Sequence, residues 1–316
     1  MITVDKVVKS YDGFNAVDGL SFTVGRGEVF GLLGPNGAGK TTAIECIVGL
    51  RTPTSGRIEV LGLDPSVDRR EFTARVAVQP QAASIFEHLT VRESLVLFAS
   101  FHRAPRAVDD VVEEIGLADS VNVRSSNLSG GQMRRLLLGV ALVGDPDVIV
   151  LDEPSAGLDP AARQTLWRLI RTLREKNTTV LLSTHHMDEA SELCDRVAIV
   201  VDGGLAEIGT PRELVERFSR MSTLTFSVTS KTTVERIQEL VASDALVIDE
   251  RDDRIDVSVE TAEPDDVIRR LTFATDVHAR AFNVRSASLE EVFLEVSEDQ
   301  SPERRRKASR RRRGAT

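Results

Sequence analysis

Apolar residues recur along the chain in two rhythms. Short, nearly continuous apolar runs at 29–33, 76–78, 148–151, 180–183 and 197–201 alternate with stretches of helical spacing up to about residue 217. Buried strands separated by helices predict an α/β unit on a largely parallel sheet. Ahead of it, 13–34 reads as closely spaced short strands divided by glycines, which predicts an antiparallel subdomain; 85–145 turns mostly helical, which predicts a helical insertion. The first 14 residues alternate like a strand and lack the apolar core of a secretory signal, so the expected location is cytosolic. Even the longest apolar stretches, such as 136–143, fall short of the ~18 residues that span a bilayer.

After Phe218 the texture changes. Strand at 223–229, helix at 233–241, strands at 245–250 and 254–259, helix at 264–271 and strand at 277–284 make βαββαβ, the split arrangement of ferredoxin-like α+β domains. A last helix is expected from Ser288, with Glu291 completing a capping box and Leu289, Val292, Phe293 and Val296 on one stripe. The expected domains are 1–217, 218–297 and a basic tail, 298–316.

Charge separates the tail from the body. The chain carries 40 Lys/Arg against 49 Asp/Glu, but 297–316 holds 8 basic and 3 acidic residues, leaving 32 against 46 in 1–296. An acidic body argues against a broad nucleic-acid-binding face. The tail "RRRKASRRRR" reads as a solvated disordered extension, with docking on anionic lipid as the alternative. Cys46 and Cys194, far apart in helix-like apolar surroundings, read as buried reduced thiols.

Three strand ends carry candidate chemistry. The strand before Gly34 runs into Gly34-Pro35-Asn36-Gly37-Ala38-Gly39-Lys40-Thr41, matching G-x-x-x-x-G-K-[ST], and then into a helical pattern from Thr42. Glycines let successive N–H groups curl around phosphate oxygens, the helix start adds partial positive charge, Lys40 reaches the outer phosphates and Thr41 offers a hydroxyl to Mg²⁺. The apolar strand "DVIVLDEP" ends in Asp152 and Glu153. Alternation along a strand predicts that the two carboxylates point differently, Asp152 to a cation and Glu153 to an attacking water. A third strand, "TVLLST", delivers His185; alone it reads as a structural histidine, but its place after the strand following Glu153's brings it to the carboxyl edge where ligands gather.

The combination resembles the nucleotide-binding subunit of an ABC transporter over about 1–217. The resemblance implies a P-loop NTPase cassette, with a RecA-like core and antiparallel β and helical subdomains, plus the small ferredoxin-like domain. Gly34 to Thr42 match the Walker A loop and helix start, Asp152 and Glu153 the Walker B pair, 155–159 with Asp159 the D-loop, and His185 the switch histidine. Leu128-Ser129-Gly130-Gly131-Gln132 matches the signature, and "LSGGQ" together with "LDEP" and a later histidine is specific to this family. Gln79 and Gln81 both stand in "VAVQPQ"; the family's spacing to "LTVRESL" selects Gln81 as the Q-loop residue, near nucleotide and Mg²⁺. Tyr11 matches the aromatic that stacks on adenine, although from the residues alone it reads equally as a core aromatic.

The resemblance implies ATP and Mg²⁺ as cofactors and a second copy of the chain as partner. Ser129, Gly130, Gly131 and Gln132 would face the γ-phosphate held by the opposite copy in a head-to-tail sandwich. Glu153 would activate water, with Lys40 and His185 steadying the phosphate. "SLEEVFLEVS" and "STHHMDEASELCDRVAIVVDGG" resemble export ATPases of the daunorubicin-resistance type, which work with ABC-2 permeases at the cytoplasmic face of the membrane. Importer ATPases and cassettes acting on nucleic acid or ribosomes are the alternatives; the βαββαβ domain disfavours the first, and a single cassette without coiled-coil insertion or clustered cysteines disfavours the second.

Overall fold

The strand Val29–Leu33 is buried at all five positions, as a strand covered on both faces requires. It lies inside a six-stranded sheet in the computed structural model, which describes residues 1–82, 85–218, 222–229, 234–241, 246–251, 254–274, 276–285 and 288–299. The sheet runs Val76–Gln79, Val148–Asp152, Thr179–Thr184, Val29–Leu33, Arg196–Val201, Gly204–Gly209, and only the last strand is antiparallel to its neighbour. The register sets Asp152 beside Ser183 and Leu33 beside Thr184. The chain therefore leaves its phosphate-loop, carboxylate and histidine strands at one edge, the carboxyl edge where ligands of parallel sheets bind.

An antiparallel sheet does form, ordered Phe14–Val24, Ile2–Tyr11, Ser55–Val60, but of the glycine-divided segment only Phe14–Val24 enters it, as one strand running through Gly19, whereas Val29–Leu33 belongs to the central sheet. Phe22 on the antiparallel sheet stacks on Phe30 of the central sheet, rings 5.1 Å apart and nearly parallel, so the two sheets share one apolar core. The helical insertion comprises Val91–Ala99, Val108–Glu114 and Gly130–Leu142. Thr90 and Glu93 form a reciprocal cap at the start of the first helix. Packing is close enough at Gly139 that an added Cβ would lie 2.7 Å from Ile115 Cδ1.

The chain divides into two compact units, Met1–Pro211 with the described residues from Val296, and Arg212–Glu295. The helix Pro211–Phe218 spans the expected border at 217/218. In the second unit the strands run Leu246–Arg251, Arg254–Thr261, Ser222–Thr229, Arg280–Arg285, all antiparallel. With helices Val234–Val241 and Pro264–Phe273 this is the split βαβ order, around a core of Leu224, Phe226, Ile237, Val257 and Leu271. The last strand begins at Arg280 rather than 277, because Val277 is buried in that core from a turn closed onto Ala274 O.

The final helix, Leu289–Asp299, opens as expected: Ser288 Oγ accepts from Glu291 N and Ser288 N donates to Glu291 Oε2, both at 3.3 Å. Its stripe is buried at Leu289, Val292 and Val296. Both readings of the basic tail fall on residues outside those described. Both cysteines are free and buried, and burial raises each thiol's pKa, Cys194's well above the usual value. Among the described residues no helix is long and apolar enough to cross a membrane.

Leu181 is fully buried at the centre of the main sheet. Leu181→Ala should lower the unfolding free energy of the first unit by about 2–5 kcal/mol, read by chemical denaturation; unchanged stability would contradict this core assignment.

Candidate active site

Two glycines of the phosphate loop are dictated by close backbone approach. A Cβ at Gly34 would lie 2.6 Å from Val200 O, and one at Gly39, where φ is +95°, would lie 2.1 Å from Ala16 O. Gly39 also brings no side chain to cap the helix Lys40–Ile47, so its first-turn N–H groups face the loop. Lys40 is buried, its Nζ donating to Gly34 O at 2.8 Å and Pro35 O at 3.1 Å. Burial lowers its pKa, while the Glu153 and Asp152 carboxylates pull the other way.

The carboxylates of Asp152 and Glu153 do point differently. Asp152, 2% exposed, accepts from Ser183 Oγ on the neighbouring strand. Glu153 leaves the strand with φ +47°, a conformation costly for a residue with a Cβ, and its N–H donates to Ser183 Oγ at 3.0 Å. One serine hydroxyl thus spends its proton on Asp152 and its lone pair on Glu153's backbone. The Glu153 side chain turns into the cleft: Oε2 accepts from Gln81 Nε2 at 2.9 Å, and Oε1 stands 3.2 Å from His185 Nδ1 and 3.8 Å from Lys40 Nζ.

Of the two glutamines, Gln81 therefore reaches the site. Gln79 is 2% exposed, and neither amide atom has a partner among the described residues. Gln81 is also held from behind, its carbonyl accepting from Arg134 Nη1 on the signature helix at 3.2 Å. His185 is partly open, its ring 4.1 Å from that of His186. The His186 pKa is lowered, first by burial and then by the charges of His185 and Arg163. A cleft of ≈ 300 Å³ is lined by Asn36, Gly37, Gly39, Lys40, Thr41, Thr42, Gln81 and Glu153, with Ala16 from the antiparallel sheet.

Other expected site residues stand apart from this cleft. Tyr11 is exposed rather than core, with Lys9 Nζ 5.2 Å and Arg51 Cζ 5.6 Å from its ring centroid. Ser129 caps the helix Gly130–Leu142: Ser129 Oγ accepts from Gln132 N, while Gln132 returns Oε1 to Ser129 N and donates Nε2 to Ser120 Oγ at 3.0 Å. The Gln132 amide is thus engaged within its own subdomain. A Cβ at Gly131 would meet Ala162 Cβ at 2.7 Å, whereas one at Gly130 would meet nothing. Asp159 caps the helix Pro160–Glu175, accepting from Ala161 N and Ala162 N at 3.0 and 2.9 Å.

Ser183 and Arg134 escaped the sequence reading. Ser183 had a signal, a small polar residue inside the buried apolar run before His185; Arg134 had none beyond its place two residues past the signature. The cleft fits a nucleoside triphosphate through its glycine-lined backbone, buried lysine and Thr41 hydroxyl, and the oxygens of Thr41, Gln81 and the buried Asp152 are of the chemical type a hard cation takes.

Fold and site together define an NTPase of the phosphate-loop class. The family model described as ABC transporter matches residues 17–156. Nod factor export ATP-binding protein I of Burkholderia thailandensis is 44% identical over 220 residues, 68% of this chain and 72% of that protein. ABC transporter A family member 12 of Arabidopsis thaliana is 37% identical over 314 residues, 94% of this chain but 34% of the plant protein. Among solved structures, an ATP-binding subunit of an ABC transporter superposes with TM-score 0.63 at 28% identity, covering 69% of this chain and 93% of that one. The cbiO1 structure from Clostridium perfringens, part of the ABC transporter complex cbiONQ, gives TM-score 0.63 at 27% identity, with coverages of 68% and 90%. The chain belongs to the ATP-binding cassette family of ABC transporters, and its enzymatic activity is ATP hydrolysis.

Because a Cβ at Gly39 collides with a backbone carbonyl, Gly39→Ala must reshape the loop. It should weaken ATP binding about tenfold or more in calorimetric titration while circular dichroism stays unchanged; unaltered affinity would show that the loop does not hold the phosphates.

Proposed function

We propose that the chain is the ATP-hydrolysing subunit of an ABC-2 type export system, driving efflux of a drug-like or lipid-like compound through a separately encoded permease. The observation that carries the catalytic part is the convergence of Lys40, Gln81 and His185 on Glu153. Relatives named for Nod factor export support the direction of transport and the exporter class; nothing singles out daunorubicin or another antibiotic as cargo.

In this reading the backbone of Gly34–Thr41 and Lys40 bind the phosphates, and Thr41, Asp152 and Gln81 hold Mg²⁺. That cation, when bound, neutralises phosphate charge and fixes the phosphate orientation. Glu153 accepts a hydrogen bond from the attacking water, and its shared contacts keep it aimed into the cleft. Lys40 and His185 offer positive or donor groups to charge developing on the γ-phosphoryl oxygens. Ser129 and Gly130 serve the site of a second copy: the Ser129 hydroxyl keeps a proton to donate after accepting from Gln132, and Gly130 leaves its surface open. Tyr11, exposed and flanked by cations, offers a ring face to the adenine.

The exposed apolar side chains Phe86, Val96 and Phe101 stand on the helical insertion just after Gln81. In this reading the permease docks on this part of the insertion, and Gln81, tied to Glu153 on one side and to Arg134 on the other, carries site occupancy toward it.

Light scattering of purified Glu153→Gln protein tests the composite site. Mg-ATP should convert it from monomer to dimer, and adding Ser129→Arg should abolish the shift. A monomer at saturating Mg-ATP, both alone and with its permease in membranes, would overturn the sandwich.

A further inference from the structure

Behind the cleft lies a polar cluster that the hydrolysis scheme does not use. Glu189 is fully buried on the helix Met187–Leu193, and Ser155 and Trp167 beside it are 1% and 3% exposed. Ser155 Oγ donates to Glu189 Oε1; Trp167 Nε1 lies 3.1 Å from that same oxygen and 3.2 Å from Ser155 Oγ. An indole N–H only donates, so the serine accepts from Trp167 and sends its own proton to the carboxylate. Glu189 Oε2 has no partner among the described residues. A buried carboxylate with one oxygen unused is a poor stabiliser compared with an apolar side chain of the same volume, which points to a task other than holding the fold.

Its position in the chain supplies that task. Ser155 follows Glu153 by two residues, and Glu189 follows His185 by four. The Ser155–Glu189 bond therefore closes a ring whose other closure is the 3.2 Å contact between His185 and Glu153. Glu153 is held in a left-handed conformation, which persists only where its surroundings over-determine it. Ser183 constrains it from the strand side through the Glu153 N–H, and the ring constrains it from the turn side.

We propose that Glu189 is a positioning residue, a rear clamp that sets the distance between the catalytic carboxylate and the histidine through Ser155, with Trp167 fixing the direction of the serine proton. The inference rests on the catalytic reading of Glu153 and His185 given above. Because Trp167 is the chain's only tryptophan, its emission reports on the clamp itself.

Glu189→Ala should lower kcat for ATP hydrolysis by the full chain about tenfold or more while leaving KM for ATP within about twofold, since the phosphate loop is untouched. Glu189→Gln keeps the acceptor oxygen and the shape, and should restore kcat to within about threefold of the unmodified chain and retain its tryptophan emission maximum. Ser155→Ala should repeat the kcat loss per folded molecule, with a lower melting temperature because the buried Glu189 carboxylate loses its hydroxyl donor. The clamp is overturned if Glu189→Ala keeps full kcat, if Glu189→Gln fails to rescue, or if kcat falls only in step with folded protein. A Glu153→Gln chain assayed alongside separates the two levels: full hydrolysis there would sink the catalytic reading, whereas its loss together with an active Glu189→Ala chain would sink the clamp alone.

Discussion

The structure turns on one carboxylate held where carboxylates are costly to hold. Glu153 is 8% exposed, sits on strained backbone and shares its two oxygens among an ammonium, an amide and an imidazole. Burying such a charge costs several kcal/mol unless its partners are in place, and the left-handed backbone adds about 1–3 kcal/mol. Each partner arrives from a different element: Lys40 from the helix after Val29–Leu33, Gln81 from the loop after Val76–Gln79, and His185 from the end of Thr179–Thr184. The parallel register that brings three strand ends level is thus a requirement of this one side chain.

The same logic explains the polar residues in otherwise apolar strands. Ser183, fully buried, serves both Walker B residues, one through its proton and one through its lone pair. A threonine could keep both bonds only if its extra methyl found room in that strand; valine would break both at once. The helical insertion is joined to this centre through Arg134, whose guanidinium holds the main chain of Gln81.

Much of this was legible in the sequence because the strands are short, buried and nearly all apolar, so their ends stand out wherever polar residues begin. The phosphate loop, the carboxylate pair and His185 all fall at such ends. The βαββαβ order was equally legible, since periods of two and of 3.6 residues alternate without ambiguity after 222. Spatial pairings between distant elements were not: nothing in the spacing of Ser155, Trp167 and Glu189, or of Arg134 and Gln81, shows that they meet. Tyr11 illustrates the limit from the other side, because only burial separates a core aromatic from an exposed one, and burial belongs to the fold. Asp152 and Glu153 do diverge as expected, but not by strand alternation: the strand ends at Asp152, and Glu153 turns away on a left-handed backbone that no periodicity reveals.

If Glu153 is the group on which the site is built, its charge and not its shape must carry the chemistry. The most direct test is the single-turnover hydrolysis rate of Glu153→Gln protein at saturating Mg-ATP, with affinity measured in parallel. The account predicts a rate reduced about a hundredfold or more with ATP binding retained, since loss of a general base removes about that much. A rate within a few-fold of the unmodified chain would contradict it and assign the activation of water to another group.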